Sequence, residues 1–96
     1  MNAEAPRPDS PTLETVILEM CASAAPGRTI APLDAAREFA GRRGEGELGW
    51  RMHLQTVRHV AVKMAEAGQL VIYRKGKPVD PREFRGVYRL GAPRID

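Results

Sequence analysis

The sequence predicts an α+β domain of the winged-helix type: a three-helix helix-turn-helix variant with a short first strand and a C-terminal β-hairpin wing. Three observations lead there. Three segments with the apolar period of a helix come first, a short extended piece separates the first two, and two strand-like runs joined by a basic connection close the chain. The 96 residues hold a single hydrophobic core, and 43% hydrophobic with 28% charged residues is a globular composition. A ferredoxin-like or OB arrangement needs more strands than this chain provides.

Residues 1–10 read as a polar, proline-rich tail, residues 11–92 as the domain and residues 93–96 as a C-terminal tail. Ser10 and Pro11 predict the first helix start, because serine caps free amides and proline tolerates the first helical position. Leu13, Val16, Ile17, Met20, Cys21 and Ala24 then form an inward stripe with Glu14 and Glu19 off it, and Pro26-Gly27 stops the helix near Ala25. Arg28–Ala31 has room only for a short extended piece. Pro32 opens the second helix, which turns Ala36, Phe39 and Ala40 inward and ends at Gly41. A polar loop follows to Gly49.

The third helix spans Trp50–Ala67, with Trp50, Leu54, Val57, Ala61 and Met64 at alternating steps of four and three as its core side. Gly68 ends it in a position that suits a left-handed residue. Leu70–Tyr73 and Gly86–Leu90 are the strands of the hairpin, and Arg74–Pro81 is its long basic tip, a turn or extended loop and not a continuous ladder. Pro78 and Pro81 stiffen that tip.

The net charge of +3 is unevenly spread: residues 48–77 hold six bases and one acid, whereas residues 1–24 hold one base and four acids. The excess falls on the third helix and the first half of the hairpin, the elements a DNA-binding winged helix presents to the groove and the phosphates. On a wheel of about 100° per residue, Arg51, Gln55, Arg58 and Val62 form a solvent stripe, with His59 and Lys63 further round. Arginine and glutamine have the geometry for bidentate contact with guanine and adenine, and valine suits a thymine methyl. The stripe equally suits a solvated helix face. Arg74, Lys75, Lys77 and Arg82 are candidate phosphate contacts, or charges that keep a hairpin tip from pairing edge to edge. Arg37, Arg42 and Arg43 are offset by Asp34, Glu38, Glu45 and Glu47.

Other chemistry has little to stand on. No apolar run approaches the roughly 20 residues of a membrane span, and the polar N-terminus is unlike a secretory leader, so a cytoplasmic location is expected. Cys21 has no partner for a disulfide or a metal pair and reads as a small buried hydrophobe. His53 and His59 are six apart, too far round a helix to chelate, so no metal is expected. Gly44–Gly49 spells GxGxxG, but a helix precedes it and its two glutamates repel phosphate, so no cofactor is expected. Lys75-Gly76-Lys77 lacks the spacing and hydroxyl of a phosphate-binding loop. Asp80 before Pro81 is a turn cap more readily than half of a catalytic pair with Glu83. A non-enzyme is expected.

Thr29-Ile30-Ala31-Pro32, Trp50-Arg51, Val57-Arg58-His59-Val60-Ala61, Gly68-Gln69-Leu70, Lys75-Gly76-Lys77-Pro78-Val79-Asp80-Pro81 and Arg85-Gly86-Val87-Tyr88-Arg89-Leu90 together resemble the small bacterial domain-of-unknown-function family 3253. The resemblance covers about residues 13–90, and the run from Lys75 to Asp80 is its most specific element. It implies a winged-helix-like domain of bacterial origin, and it carries over no binding or catalytic residue because the family has no assigned activity. Leu33-Asp34 departs from the Ser-Glu start more typical after that proline. The expectation is a regulatory protein that binds duplex DNA, Arg51, Gln55, Arg58 and Val62 facing bases and Arg74, Lys75, Lys77 and Arg82 facing phosphates. The alternative is a module of the same fold that docks a protein partner or forms a homodimer, without nucleic acid.

Overall fold

Helix α1 (Leu13–Ser23) opens a computed structural model that describes residues 12–24 and 28–93. The expected Ser10-Pro11 start, the Ala25 end with its Pro26-Gly27 stop, the N-terminal tail and residues 94–96 lie outside the described residues. The cap is Thr12, whose hydroxyl oxygen accepts the Thr15 N–H at 3.2 Å and satisfies one of the amides a helix start leaves open. Leu13, Val16, Ile17 and Cys21 face the core, as their spacing predicts.

Helix α2 (Pro32–Arg42) carries Pro32 in its first turn, and the Asp34 carboxylate accepts the Ala31 N–H at 3.3 Å. It runs through Gly41, the expected terminator. Glycine weakens a helix interior by about 1 kcal/mol without forbidding it, and here Arg42 anchors the extra turn through Glu38 at 2.8 Å and Glu19 of α1 at 2.7 Å.

The expected third helix is two pieces, a 3-10 helix over Gly49–His53 and then α3 (Leu54–Glu66). Val57, Ala61 and Met64 are buried; Trp50 is half-buried and Leu54 is 37% exposed. For Trp50 the physical reason is phase: a 3-10 helix turns about 120° per residue, so a 100° wheel extended back from α3 drifts out of register ahead of Leu54.

After Gly68 (φ +80°), β1 (Val71–Arg74), β2 (Lys77–Pro78) and β3 (Arg89–Gly91) form an antiparallel sheet in the order β2-β1-β3. The basic tip is therefore tighter than expected. Lys75 (φ +54°) and Gly76 (φ +81°) make a two-residue turn with both residues left-handed, and Tyr73 pairs with Pro78 and Arg74 with Lys77. Pro78 is tolerated because β2 is an edge strand. The second strand starts at Arg89 and not at Gly86, since Gly86 is left-handed (φ +83°) and the Arg74 guanidinium lies against it, donating to the Val87 carbonyl at 2.9 Å.

The short extended piece is present as well: Ile30 and Leu90 exchange both backbone hydrogen bonds at 2.8 Å. Leu90 thus pairs with Ile30 on one side and Ile72 on the other. Three helices against a small antiparallel sheet make an α+β, winged-helix-like arrangement. Its core joins Val16 and Ile17 of α1, Val57 and Met64 of α3, Ile72 and Leu90 of the sheet, and Phe84 and Tyr88 from the connection between β2 and β3. Among the described residues no helix is long and apolar enough to cross a membrane.

Leu90 is fully buried at this junction, so Leu90→Ala is expected to cost about 2–5 kcal/mol. Met52→Ala, at a residue 82% exposed, stays within about 0.5 kcal/mol. Urea unfolding of the two variants measures both.

Candidate functional site

The glycine-rich loop places the start of the basic surface. Glu45 accepts a hydrogen bond from Arg43 Nε at 2.9 Å, and its other carboxylate oxygen lies 2.7 Å from His53 Nε2, tying the loop to the 3-10 helix. The His53 ring meets Phe39 of α2 edge-on at 4.8 Å. Glu45 thus bridges the residue before the Gly44–Gly49 stretch and the 3-10 helix after it. These bonds hold Glu45 below the usual carboxylate range, the His53 contact contributing most. The clasp fixes the short helix that carries Arg51.

Beyond it, Arg51, Gln55, His59 and Lys63 recur every four residues and all are exposed. The only acid on α3 is Glu66 in its last turn, which accepts from Arg82 Nε at 2.9 Å. Gln55, Arg58 and Val62 line a shallow depression of about 510 Å³ together with Thr56 and His59, so three of the four expected base-facing residues share one surface. Arg51 stands outside it, its guanidinium 5.6 Å from the Trp50 ring.

Arg58 and Val62 are half-buried, unlike the solvent positions the wheel gives them. Arg58 lies 4.1 Å above the Phe84 ring and donates from Nη2 to the Phe84 carbonyl at 3.0 Å. The segment between β2 and β3 folds back over α3 and covers that side. A helical wheel carries no information about such a cover; the usable signal is two aromatic residues, Phe84 and Tyr88, inside a stretch that otherwise reads as loop and edge strand. In the structure they pack at 5.0 Å. Burial pushes the Tyr88 phenol up, and the nearby Arg58 charge opposes this.

Of the expected phosphate contacts, Lys75 and Lys77 are exposed at the β1–β2 turn, Arg74 is half-buried against Val87, and Arg82 is paired with Glu66 yet 76% exposed. Asp80 caps its turn, accepting the Arg82 N–H at 2.9 Å. Cys21 is buried, and burial pushes its thiol up, away from the reactive thiolate. Among the described residues no group of three or more His, Cys, Asp or Glu is placed to hold a metal ion.

The model of a family described as "Protein of unknown function (DUF3253)" matches residues 10–93. The chain belongs to this family. No curated protein matches it. The DUF3253 match spans every element described above, from the Thr12 cap to the last residue of β3, so both the α3 surface and the back-folded connection belong to the family domain.

Two outcomes follow for this DUF3253 domain. Arg58→Ala loses a hydrogen bond and a stacked cation together, an expected destabilisation of about 1–3 kcal/mol in urea unfolding, whereas Arg51→Ala stays within about 0.5 kcal/mol. Glu45 is depressed in the folded state, so its stabilisation is present above the unfolded value of about 4.3 and is lost as pH falls through the lower folded value. Glu45→Gln is therefore expected to flatten the acid limb of a stability-against-pH profile between those two values.

Proposed function

We propose that this domain binds duplex DNA, setting α3 toward the major groove and the β1–β2 turn toward the phosphates, as a cytoplasmic, non-enzymatic protein in a regulatory role. The observation that supports this reading is the exposed row Arg51, Gln55, His59 and Lys63, which no carboxylate interrupts. Arg51 and Gln55 have the bidentate geometry for guanine and adenine edges. Lys75 and Lys77 stand on a rigid two-residue turn, the form in which cations position a protein on the phosphate backbone without reading sequence. Arg82 adds a peripheral phosphate contact. Arg58 and Val62 act from the covered edge of the same surface, Arg58 chiefly as the strut that sets the wing against α3.

The test is a titration of a labelled mixed-sequence duplex at two salt concentrations. The expected result is a non-specific constant of roughly 10⁻⁴–10⁻⁶ M that weakens steeply with salt. The Lys75→Ala/Lys77→Ala variant is expected to show a shallower salt slope, by about one unit for each phosphate-binding lysine removed. Arg51→Ala/Gln55→Ala weakens binding while leaving the fold intact. Absence of binding at low salt overturns the proposal and leaves the other reading, a protein-docking module of the same fold.

A further inference from the structure

A groove of about 550 Å³ lies between the N-terminal end of α2, the first turn of α3 and the segment that leads into β3. Leu33, Leu54, Val87 and Tyr88 form its apolar walls, and Arg58 and Arg89 are among its lining residues. Of these, Val87 is 83% exposed and Leu54 37% exposed. Large aliphatic side chains left together in solvent mark a surface that is covered in use.

The cations of this region share one kind of partner. Arg58 donates to the Phe84 carbonyl, Arg74 to the Val87 carbonyl, and Arg89 to the hydroxyl and carbonyl of Thr29 at 2.6 and 3.0 Å. All of these acceptors are neutral. Among the described residues, none of the three arginines forms an ion pair, whereas Arg42, Arg43 and Arg82 each have a carboxylate partner. No carboxylate is among the described residues that line the groove. Arg58 and Arg89 are thus oriented without being neutralised, beside the apolar walls of the groove.

We propose that this groove docks a short segment of another protein that carries a bulky apolar side chain beside acidic ones. The apolar side chain covers Leu54 and Val87, and the carboxylates take charge-assisted bonds from Arg58 and Arg89. Phosphate groups answer the arginines alone and leave the aliphatic walls uncovered. A small molecule is a poor occupant, because ligand pockets bury roughly 70–90% of what they bind and a wall as open as Val87 does not. A second copy meeting this patch through a two-fold axis offers the arginines no carboxylate, because none is among the described residues that line the groove. Gln55 and Arg58 belong to both the groove and the α3 surface, so a docked segment and a duplex exclude one another. The groove stands on its own residues and does not require that DNA be bound.

The test is selection of a displayed random-peptide library on the full chain, followed by titration of the recovered peptides. Peptides pairing a bulky apolar residue with Asp or Glu are expected. Val87→Ser and Arg89→Gln should each weaken them by about tenfold or more, and Lys75→Ala should not. Val87 is exposed enough that its replacement leaves the fold unchanged, which circular dichroism and thermal unfolding check. No enrichment, enriched peptides without acids, or binding indifferent to Val87→Ser overturns the proposal. It is equally overturned if no peptide is recovered and Val87→Ser weakens duplex binding, which assigns the groove to DNA. Sedimentation showing a dimer that Val87→Ser dissociates assigns it to a second copy and overturns it too.

Discussion

The backbone pairing of Leu90 on both of its sides is the constraint on which the rest of this domain depends. Ile30 holds one side and Ile72 the other, so one residue fixes the approach to α2 and the exit from α3. With those two ends set, the helices have little choice of how to pack, and Val16, Ile17, Val57 and Met64 close on the sheet as one core. The groove follows from the same pairing, because it opens where the start of α2 and the chain entering β3 are held side by side.

The second determinant is the way the connection between β2 and β3 is used. A wing that stood free would leave α3 bare on both flanks. Here Phe84 and Tyr88 turn inward, and Arg58 is caught between serving solvent and serving the wing; stacking and a carbonyl bond decide for the wing. Arg74 acts the same way from the sheet, bonding the carbonyl of Val87. Two arginines that charge counting treats as surface cations are structural struts.

Much of the fold is legible in the sequence because it rests on short-range regularities. The apolar stripes of α1 and α3, the proline at the start of α2, the left-handed glycine after α3 and the brief extended piece at Ile30 are each written in a few neighbouring residues. The departures share a cause. Phase carried through Trp50 fails because a 3-10 helix intervenes, and the basic tip reads as long because Lys75 gives no hint of accepting a left-handed conformation beside Gly76. Of the site, Arg51, Gln55, Lys75 and Lys77 stand in solvent as their pattern indicates. Arg58 and Val62 do not, since their cover comes from far along the chain: the Phe84 carbonyl that holds Arg58 is 26 residues away.

The junction also ties the two ends of the domain to one fate. Arg89 and Thr29 are 60 residues apart and are joined beside the Ile30–Leu90 bridge. Closing so long a loop costs chain entropy that the two-residue turn does not, and only the contacts made across it repay that cost. An opening that releases β3 therefore removes the groove and the Leu90 pairings together.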